Sequence, residues 1–132
     1  MSPRLINIIS NSNYPSRRTA KQLMNKLTSV GLTPVTDLSH DAELTITVGG
    51  DGAFIKAVNL MNFSSIPIVG INTGHLGFYQ EISPEDIDEF VDAYMKGSYS
   101  VEKLYLVGAD IFTKKRRFFV HAVNEVVLKA QH

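Results

Sequence analysis

Residues 44–54 read Leu44-Thr45-Ile46-Thr47-Val48-Gly49-Gly50-Asp51-Gly52-Ala53-Phe54. The first five are aliphatic or β-branched, the composition of a buried strand. Three glycines in four positions then allow a tight change of direction. Beyond the turn, Ala53, Phe54, Ala57, Val58 and Met61 fall at helical spacing, which predicts a helix over 53–61 with those residues as its packed face. A buried strand, a glycine turn and a helix form half of a parallel βαβ unit.

The same alternation extends outward in both directions. Upstream, the apolar run Leu5-Ile6-Asn7-Ile8-Ile9 ends in the polar loop Ser10-Asn11-Ser12-Asn13. Ala20, Leu23, Met24, Leu27 and Val30 then share one face of a helix from about Pro15 to Val30, with Gly31 as its stop. Pro34–Leu38 carries a short, weak strand pattern. Downstream, Ile66-Pro67-Ile68-Val69-Gly70-Ile71 reads as another buried strand and runs into Asn72-Thr73-Gly74-His75-Leu76-Gly77-Phe78. Ser83 stands at an N-cap, Pro84 at the first helical position, and Glu85 and Asp86 at the positive end of the dipole. Ile87, Phe90, Val91, Tyr94 and Met95 follow on one face, and Gly97 closes the helix. The expected architecture is α/β: a Rossmann-like parallel sheet with flanking helices over residues 1–97.

After Gly97 the pattern changes. Residues 99–113 and 117–130 are β-rich runs separated by Lys114-Lys115-Arg116, which predicts one long antiparallel hairpin. Tyr105, Val107 and Ile111 lie on one of its faces, and Leu104, Leu106 and Phe112 on the other. An isolated hairpin cannot bury both. Residues 98–132 are therefore expected to begin an incomplete C-terminal β domain, whose unpaired edge suits contact with a second copy in a homo-oligomer.

Composition narrows the function classes. The chain has 132 residues, 44% of them hydrophobic and 20% charged, with 13 basic and 13 acidic side chains and no cysteine. Balanced charge gives no basis for a nucleic-acid or anionic-membrane partner. The absence of cysteine removes disulfides, thiolate metal sites and a thiol nucleophile. No apolar run approaches a membrane span and no signal peptide is evident, so a cytoplasmic location is expected. His40, His75, His121 and His132 show no metal-ligand spacing.

Three places carry chemistry. At Gly49-Gly50-Asp51-Gly52, backbone amides at a helix start can meet an anion, and Asp51 can take a proton from an attacking hydroxyl; alternatively Asp51 caps the helix. The stretch is neither a Walker A loop nor a G-x-G-x-x-G fingerprint, and Lys56 reads as a surface residue on the helix body. Asn72–Phe78, with Asn72, Thr73 and His75, is either a second phosphate or ribose cradle or a glycine-rich connection; Phe78-Tyr79 would stack on a base. Asn124-Glu125, inside an apolar strand, must find partners within the fold or on a polar ligand. Lys114–Arg117 is a solvated turn, or a contact for phosphate or a subunit.

Taken in order, Gly49-Gly50-Asp51-Gly52, Gly70-Ile71-Asn72-Thr73-Gly74-His75-Leu76-Gly77-Phe78 and Asn124-Glu125 resemble the motifs of the NAD kinases. The first motif is shared with a superfamily that includes diacylglycerol and sphingosine kinases; the second is far more specific. The resemblance implies transfer of a phosphoryl group from ATP or polyphosphate to the adenosine ribose 2′-hydroxyl of NAD, giving NADP. It assigns Asp51 as the general base, Gly52 to close approach of NAD, and Gly49 and Gly50 to phosphates. Phe78 and Tyr79 match positions lining the adenine site, and Asn124 and Glu125 the pair that holds adenosine. A divalent cation, Mg2+, would bridge the donor phosphates. The sequence departs from the family at Ala53, where Thr or Ser is usual, and family chains continue into a Gly-Ser/Thr-rich segment beyond this length. Two other readings stand beside the enzyme: a non-catalytic nucleotide-binding or assembly module, and a diacylglycerol-type lipid kinase.

Overall fold

A computed structural model describes residues 2–61, 65–74, 82–107, 110–113 and 125–130, with backbone alone from residue 99 onward. The chain runs β1 (Leu5–Ser10), α1 (Tyr14–Ser29), β2 (Thr33–Val35), β3 (Leu44–Gly49), α2 (Asp51–Met61) and β4 (Ile68–Asn72). A 3-10 turn at Pro84–Asp86 then leads into α3 (Ile87–Lys96), followed by β5 (Tyr99–Val107), β6 (Asp110–Thr113) and β7 (Glu125–Ala130).

Among the described residues the strands form one sheet in the order β2-β1-β3-β4-β7-β5-β6. The first four are parallel, with Ile8 beside Ile46 and Ile46 beside Val69 in the central register. Because side chains alternate across a sheet, Ile6 and Ile8 of β1, Leu44, Ile46 and Val48 of β3, and Val69 and Ile71 of β4 face one side. There they pack against Ala20, Leu23 and Leu27 of α1 and Ile87, Phe90 and Val91 of α3. The opposite face, with Ile68 and the partly buried Leu5 and Ile9, is covered by Phe54, Ala57, Val58 and Met61 of α2. The expected sheet, covered on both faces, is observed. Burying one large aliphatic or aromatic side chain is worth about 1.5–3 kcal/mol, so these two layers dominate the fold's stability.

Local signals explain most boundaries. The Asn13 side chain accepts a hydrogen bond from the Ser16 amide at 2.9 Å and starts α1. Gly97 adopts φ 75°, the left-handed conformation that closes α3. The entry to α3 differs from expectation. Ser83 is extended and its hydroxyl bonds to the Asp86 carboxylate at 3.2 Å instead of capping a backbone amide, so the helix is reached through a 3-10 turn.

Asn7 interrupts an apolar run yet is fully buried. Its side chain donates to the Ser39 carbonyl at 3.0 Å and to the Thr45 hydroxyl at 3.2 Å, and accepts from the Ser39 amide at 2.9 Å. At the N-terminal end of the sheet, Arg4 makes two bonds to the Glu43 carboxylate, 2.9 and 2.7 Å, and the Tyr94 hydroxyl donates to the same group. The Arg4 bonds hold the Glu43 carboxyl below its ordinary range, assisted by Tyr94 and opposed by partial burial. Lys26 and Asp92, 3.1 Å apart, link α1 to α3.

The expected long hairpin is present in part. β5 pairs antiparallel with β7 from Tyr99↔Ala130 to Leu104↔Glu125, the register a turn at 114–115 would give. The far half of the first arm instead folds back: Val107 pairs with Asp110 and Leu104 with Thr113. Gly108 and Ala109 lie outside the described residues. β7 also pairs parallel with β4 at Ile68↔Val127, so the antiparallel strands continue the sheet and are not an isolated hairpin. Lys114–Arg117 lies outside the described residues.

Candidate active site

The glycine turn lies at the C-terminal ends of the parallel strands, where open α/β sheets bind ligands. β3 ends at Gly49 and α2 begins at Asp51. Asp51 thus occupies the first turn of the helix, and the carbonyl of the preceding Gly50 accepts from the amides of Ala53 and Phe54 at 3.0 and 3.3 Å. Asp51 is half-buried and Gly52 is exposed. In that first turn, the Gly52 amide has no carbonyl acceptor within the helix, because helix geometry supplies none there.

The three glycines of the turn differ physically. Gly49 has φ 156°, and a Cβ there would stand 2.9 Å from the Ala53 Cβ and 3.1 Å from the Asn11 Cβ. It is required by the fold itself. At Gly50 and Gly52 an added Cβ would meet nothing within 4 Å, and neither has positive φ. Nothing in the described chain demands glycine at those two positions; bare backbone facing open space is what close approach of a ligand needs.

Three strand ends are joined around this turn. The Asn11 amide donates to the Val48 carbonyl at 2.8 Å, and the Thr73 amide to the Gly49 carbonyl at 3.0 Å. The hydroxyls of Ser16 and Thr73 lie 2.7 Å apart, tying the start of α1 to the segment after β4. The Asn72 side-chain oxygen accepts from the Gly74 amide at 2.9 Å. Asn72 and Thr73, expected as phosphate contacts, therefore also shape their own loop, while Asp51, Gly49, Gly50 and Gly52 are gathered with them at one end of the sheet.

A cleft of about 340 Å³ opens beside the turn, with Gly50, Gly52 and Ala53 on one wall and Ser10, Asn11 and Ser12 on the other. Lys56 projects at its edge. Its position on the helix body predicts a surface residue at Lys56. It is exposed, but one turn beyond Gly52 it lies on the same helix face and reaches the cleft. The Ser10–Ser12 wall was legible only as a polar loop; its place opposite the glycine turn follows from the adjacency of β1 and β3. His75, Phe78, Tyr79 and Asn124 lie outside the described residues, and Glu125 is described only as the first residue of β7. Among the described residues, no group of three or more His, Cys, Asp or Glu side chains is placed to hold a metal, and no helix is long and apolar enough to cross a membrane.

Comparison with known proteins places this arrangement. Residues 7–99 match the family model for the ATP-NAD kinase N-terminal domain. The chain is 41% identical over 129 residues to an NAD kinase of Finegoldia magna, covering 96% of this chain and 47% of that protein. It is 32% identical over 115 residues to an NAD kinase of Pseudoalteromonas translucida, covering 86% of this chain and 39% of that one. The chain thus spans about half the length, or less, of these curated relatives. Its fold is similar to the crystal structure of an NAD kinase from Archaeoglobus fulgidus in complex with ATP, with a TM-score of 0.57 at 18% identity, over 83% of this chain and 45% of that one. The family match spans the β1-to-α3 body that carries the glycine turn, and on that match the chain belongs to the ATP-NAD kinase family, as its N-terminal portion.

Proposed function

We propose that this chain contributes the catalytic base and a phosphate-binding turn to an NAD kinase. The enzyme transfers a phosphoryl group from ATP or polyphosphate to the adenosine ribose 2′-hydroxyl of NAD and yields NADP. The observation that carries the reading is Asp51, held in the first turn of α2 at the C-terminal edge of the parallel sheet, next to two glycines with open space above them. In this reading Asp51 accepts the 2′-hydroxyl proton as that oxygen attacks the donor's terminal phosphorus. The terminal P–O bond breaks and the shortened donor leaves. Gly52 lets the ribose approach, and the amides of the turn and the helix dipole favour the phosphates.

Asn72 and Thr73 contribute to the same anion cradle by holding its backbone in shape. Phe78, Tyr79, Asn124 and Glu125 are assigned to the adenosine of NAD, and His75 to the loop beside it. A divalent cation, Mg2+, fits as a companion of the donor phosphates, since such ions are commonly held by one or two carboxylates plus phosphate oxygens. It would neutralise charge developing on the donor. Residues 1–97 form the nucleotide-binding α/β domain and 98–132 begin a β-rich one, with the assembled enzyme a cytoplasmic homo-oligomer that uses neither nucleic acid nor membrane.

The test is Asp51→Asn in the complete enzyme. NADP formation is expected to fall by at least 100-fold, within the usual range for a lost general base, with unfolding midpoint and NAD affinity near those of the parent. Turnover within threefold of the parent removes Asp51 from the role.

A further inference from the structure

Ser16 is an outlier on its helix. The packed face of α1 runs Ser16, Ala20, Leu23 and Leu27, at i, i+4, i+7 and i+11, and Ser16 is as fully buried as Leu23. Helical periodicity alone would put an apolar residue there. A hydroxyl in such a place needs a partner, and it has one in the Thr73 hydroxyl, 2.7 Å away and 57 positions along the chain. Stability by itself does not call for the pair, because exchanging both partners for apolar groups of the same shape can be nearly neutral. What a hydrogen bond supplies, and an apolar contact does not, is a fixed separation and direction.

Both ends of this link are anchored. On one side, the Asn13 side chain accepts from the Ser16 amide at 2.9 Å, and the Asn13 carbonyl from the Arg17 amide at 3.0 Å. Ser16 therefore sits in a closed first turn packed on the sheet. On the other side, the Thr73 amide donates to the Gly49 carbonyl at 3.0 Å, and the Asn72 amide to the Ile82 carbonyl at 2.8 Å. These backbone bonds lie within the sheet layer, where Gly49 stands opposite Asn72, whereas the Ser16 bond comes from the helix layer. Thr73 is thus located in two directions, and its backbone partner Gly49 is two residues from Asp51.

Resting on the kinase reading above, we infer that Ser16 is a positioning residue for phosphoryl transfer. Through the Thr73 hydroxyl it fixes the distance between the Asn72–Gly74 turn and the Gly49–Gly52 turn, and with it the alignment of the groups each one holds. Fully buried, Ser16 acts by way of Thr73 and not on substrate. Transfer between aligned oxygens is sensitive to such spacing: a misplacement of about 1 Å that originates far from the chemistry can cost about 100-fold. Without the Ser16 hydroxyl both turns keep their own groups but their separation varies, so substrates bind about as well and react less often.

The experiment is steady-state NADP formation by the complete enzyme with NAD and Mg2+-ATP. Parent, Ser16→Ala, Thr73→Val and the double variant are compared, with Asp51→Asn alongside. The kcat values are taken per folded enzyme, counted by far-UV circular dichroism at the assay temperature, so that a purely structural loss does not register. Ser16→Ala is expected to lower kcat roughly tenfold and to leave both KM values within about threefold. In the Thr73→Val background the same exchange is expected to change kcat by less than about twofold, since its route is already cut. Three results overturn the positioning role: kcat of Ser16→Ala within about twofold of the parent, a higher KM at unchanged kcat, or losses that multiply in the double variant. If Asp51→Asn is inactive in the same assay, the kinase reading stands without it. Asp51→Asn turnover near that of the parent overturns both.

Discussion

Gly49→Ala and Gly52→Ala separate the glycine that the fold needs from the glycine proposed to serve a ligand. At position 49 the new Cβ would lie 2.9 Å from the Ala53 Cβ and 3.1 Å from the Asn11 Cβ, with φ at 156°. Neither neighbour is the far end of a flexible side chain. Ala53 is fixed in the first turns of α2, and Asn11 is held by the hydrogen bond its backbone amide donates to the Val48 carbonyl at 2.8 Å. Overpacking of this kind costs about 1–3 kcal/mol, and an unfavourable backbone region adds about 1–3 kcal/mol. A loss of about 2–5 kcal/mol is expected from the two together, a large share of the 5–15 kcal/mol typical of a domain. At position 52 the new Cβ meets nothing within 4 Å, and alanine is the better helix former by up to about 1 kcal/mol. Gly52→Ala is expected to be as stable as the parent or slightly more so, yet, on the proposed function, to lose at least tenfold in NADP formation because the methyl would enter the space assigned there to the ribose. Urea unfolding followed by far-UV circular dichroism reads the first effect, and a coupled NADP assay on the complete enzyme reads the second. The reasoning is refuted if Gly49→Ala unfolds within 0.5 kcal/mol, roughly the scatter of a neutral surface substitution, or if Gly52→Ala is the more destabilised of the pair.

Asn7→Leu removes the partner of the Ser39 amide and carbonyl and of the Thr45 hydroxyl; a destabilisation of about 1–3 kcal/mol is expected, with hydrogen exchange at the Ser39 amide accelerated more than elsewhere. For Glu43, the folded-state pKa lies below the ordinary value of 4.5, chiefly through its bonds with Arg4. Its contribution is therefore complete above about pH 4.5 and fades as pH falls through the lowered folded value. Urea midpoints of the parent and Glu43→Gln should differ at pH 7 and draw together as pH falls below 4.5; parallel curves would contradict the assignment. Because the Ser16 and Thr73 hydroxyls are each other's partners, Ser16→Ala, Thr73→Val and the double variant should be strongly non-additive in a double-mutant cycle on stability.

The parts of the fold legible in the sequence are those fixed by local pattern. The five residues expected on the packed face of α2, Ala53, Phe54, Ala57, Val58 and Met61, are the ones buried there, because a helix held against a sheet imposes one period on its contacts. The β1, β3 and β4 runs were visible because strands buried on both faces tolerate few polar residues. Asn7 shows the limit: its acceptability depends on Ser39, 32 positions away, which no period reveals. The turn at Gly49–Gly52 and the place of Asp51 at a helix start were readable from residue types alone. The Ser10–Ser12 wall and the reach of Lys56 were not, because the order β2-β1-β3-β4 brings β1 beside β3. The fold-back of β6 on β5 was hidden for a similar reason: both competing pairings satisfy the same β-rich composition.

The Asn7 side chain exchanges a donor and an acceptor with the backbone of Ser39, as one peptide unit does with the next strand of a sheet. It thus acts as a counterfeit rung, ending the ladder after three true pairs between β1 and β2 and turning the chain aside without leaving its polar groups unmatched. Ser39 adjoins Leu38, and Leu38 lines a hollow of about 350 Å³ with Met24 of α1 and Leu60 of α2. The width of a space at the mouth of the molecule is consequently gauged by an amide sealed inside it. Exchange of Asn7 for an apolar residue would alter that hollow without touching anything that lines it.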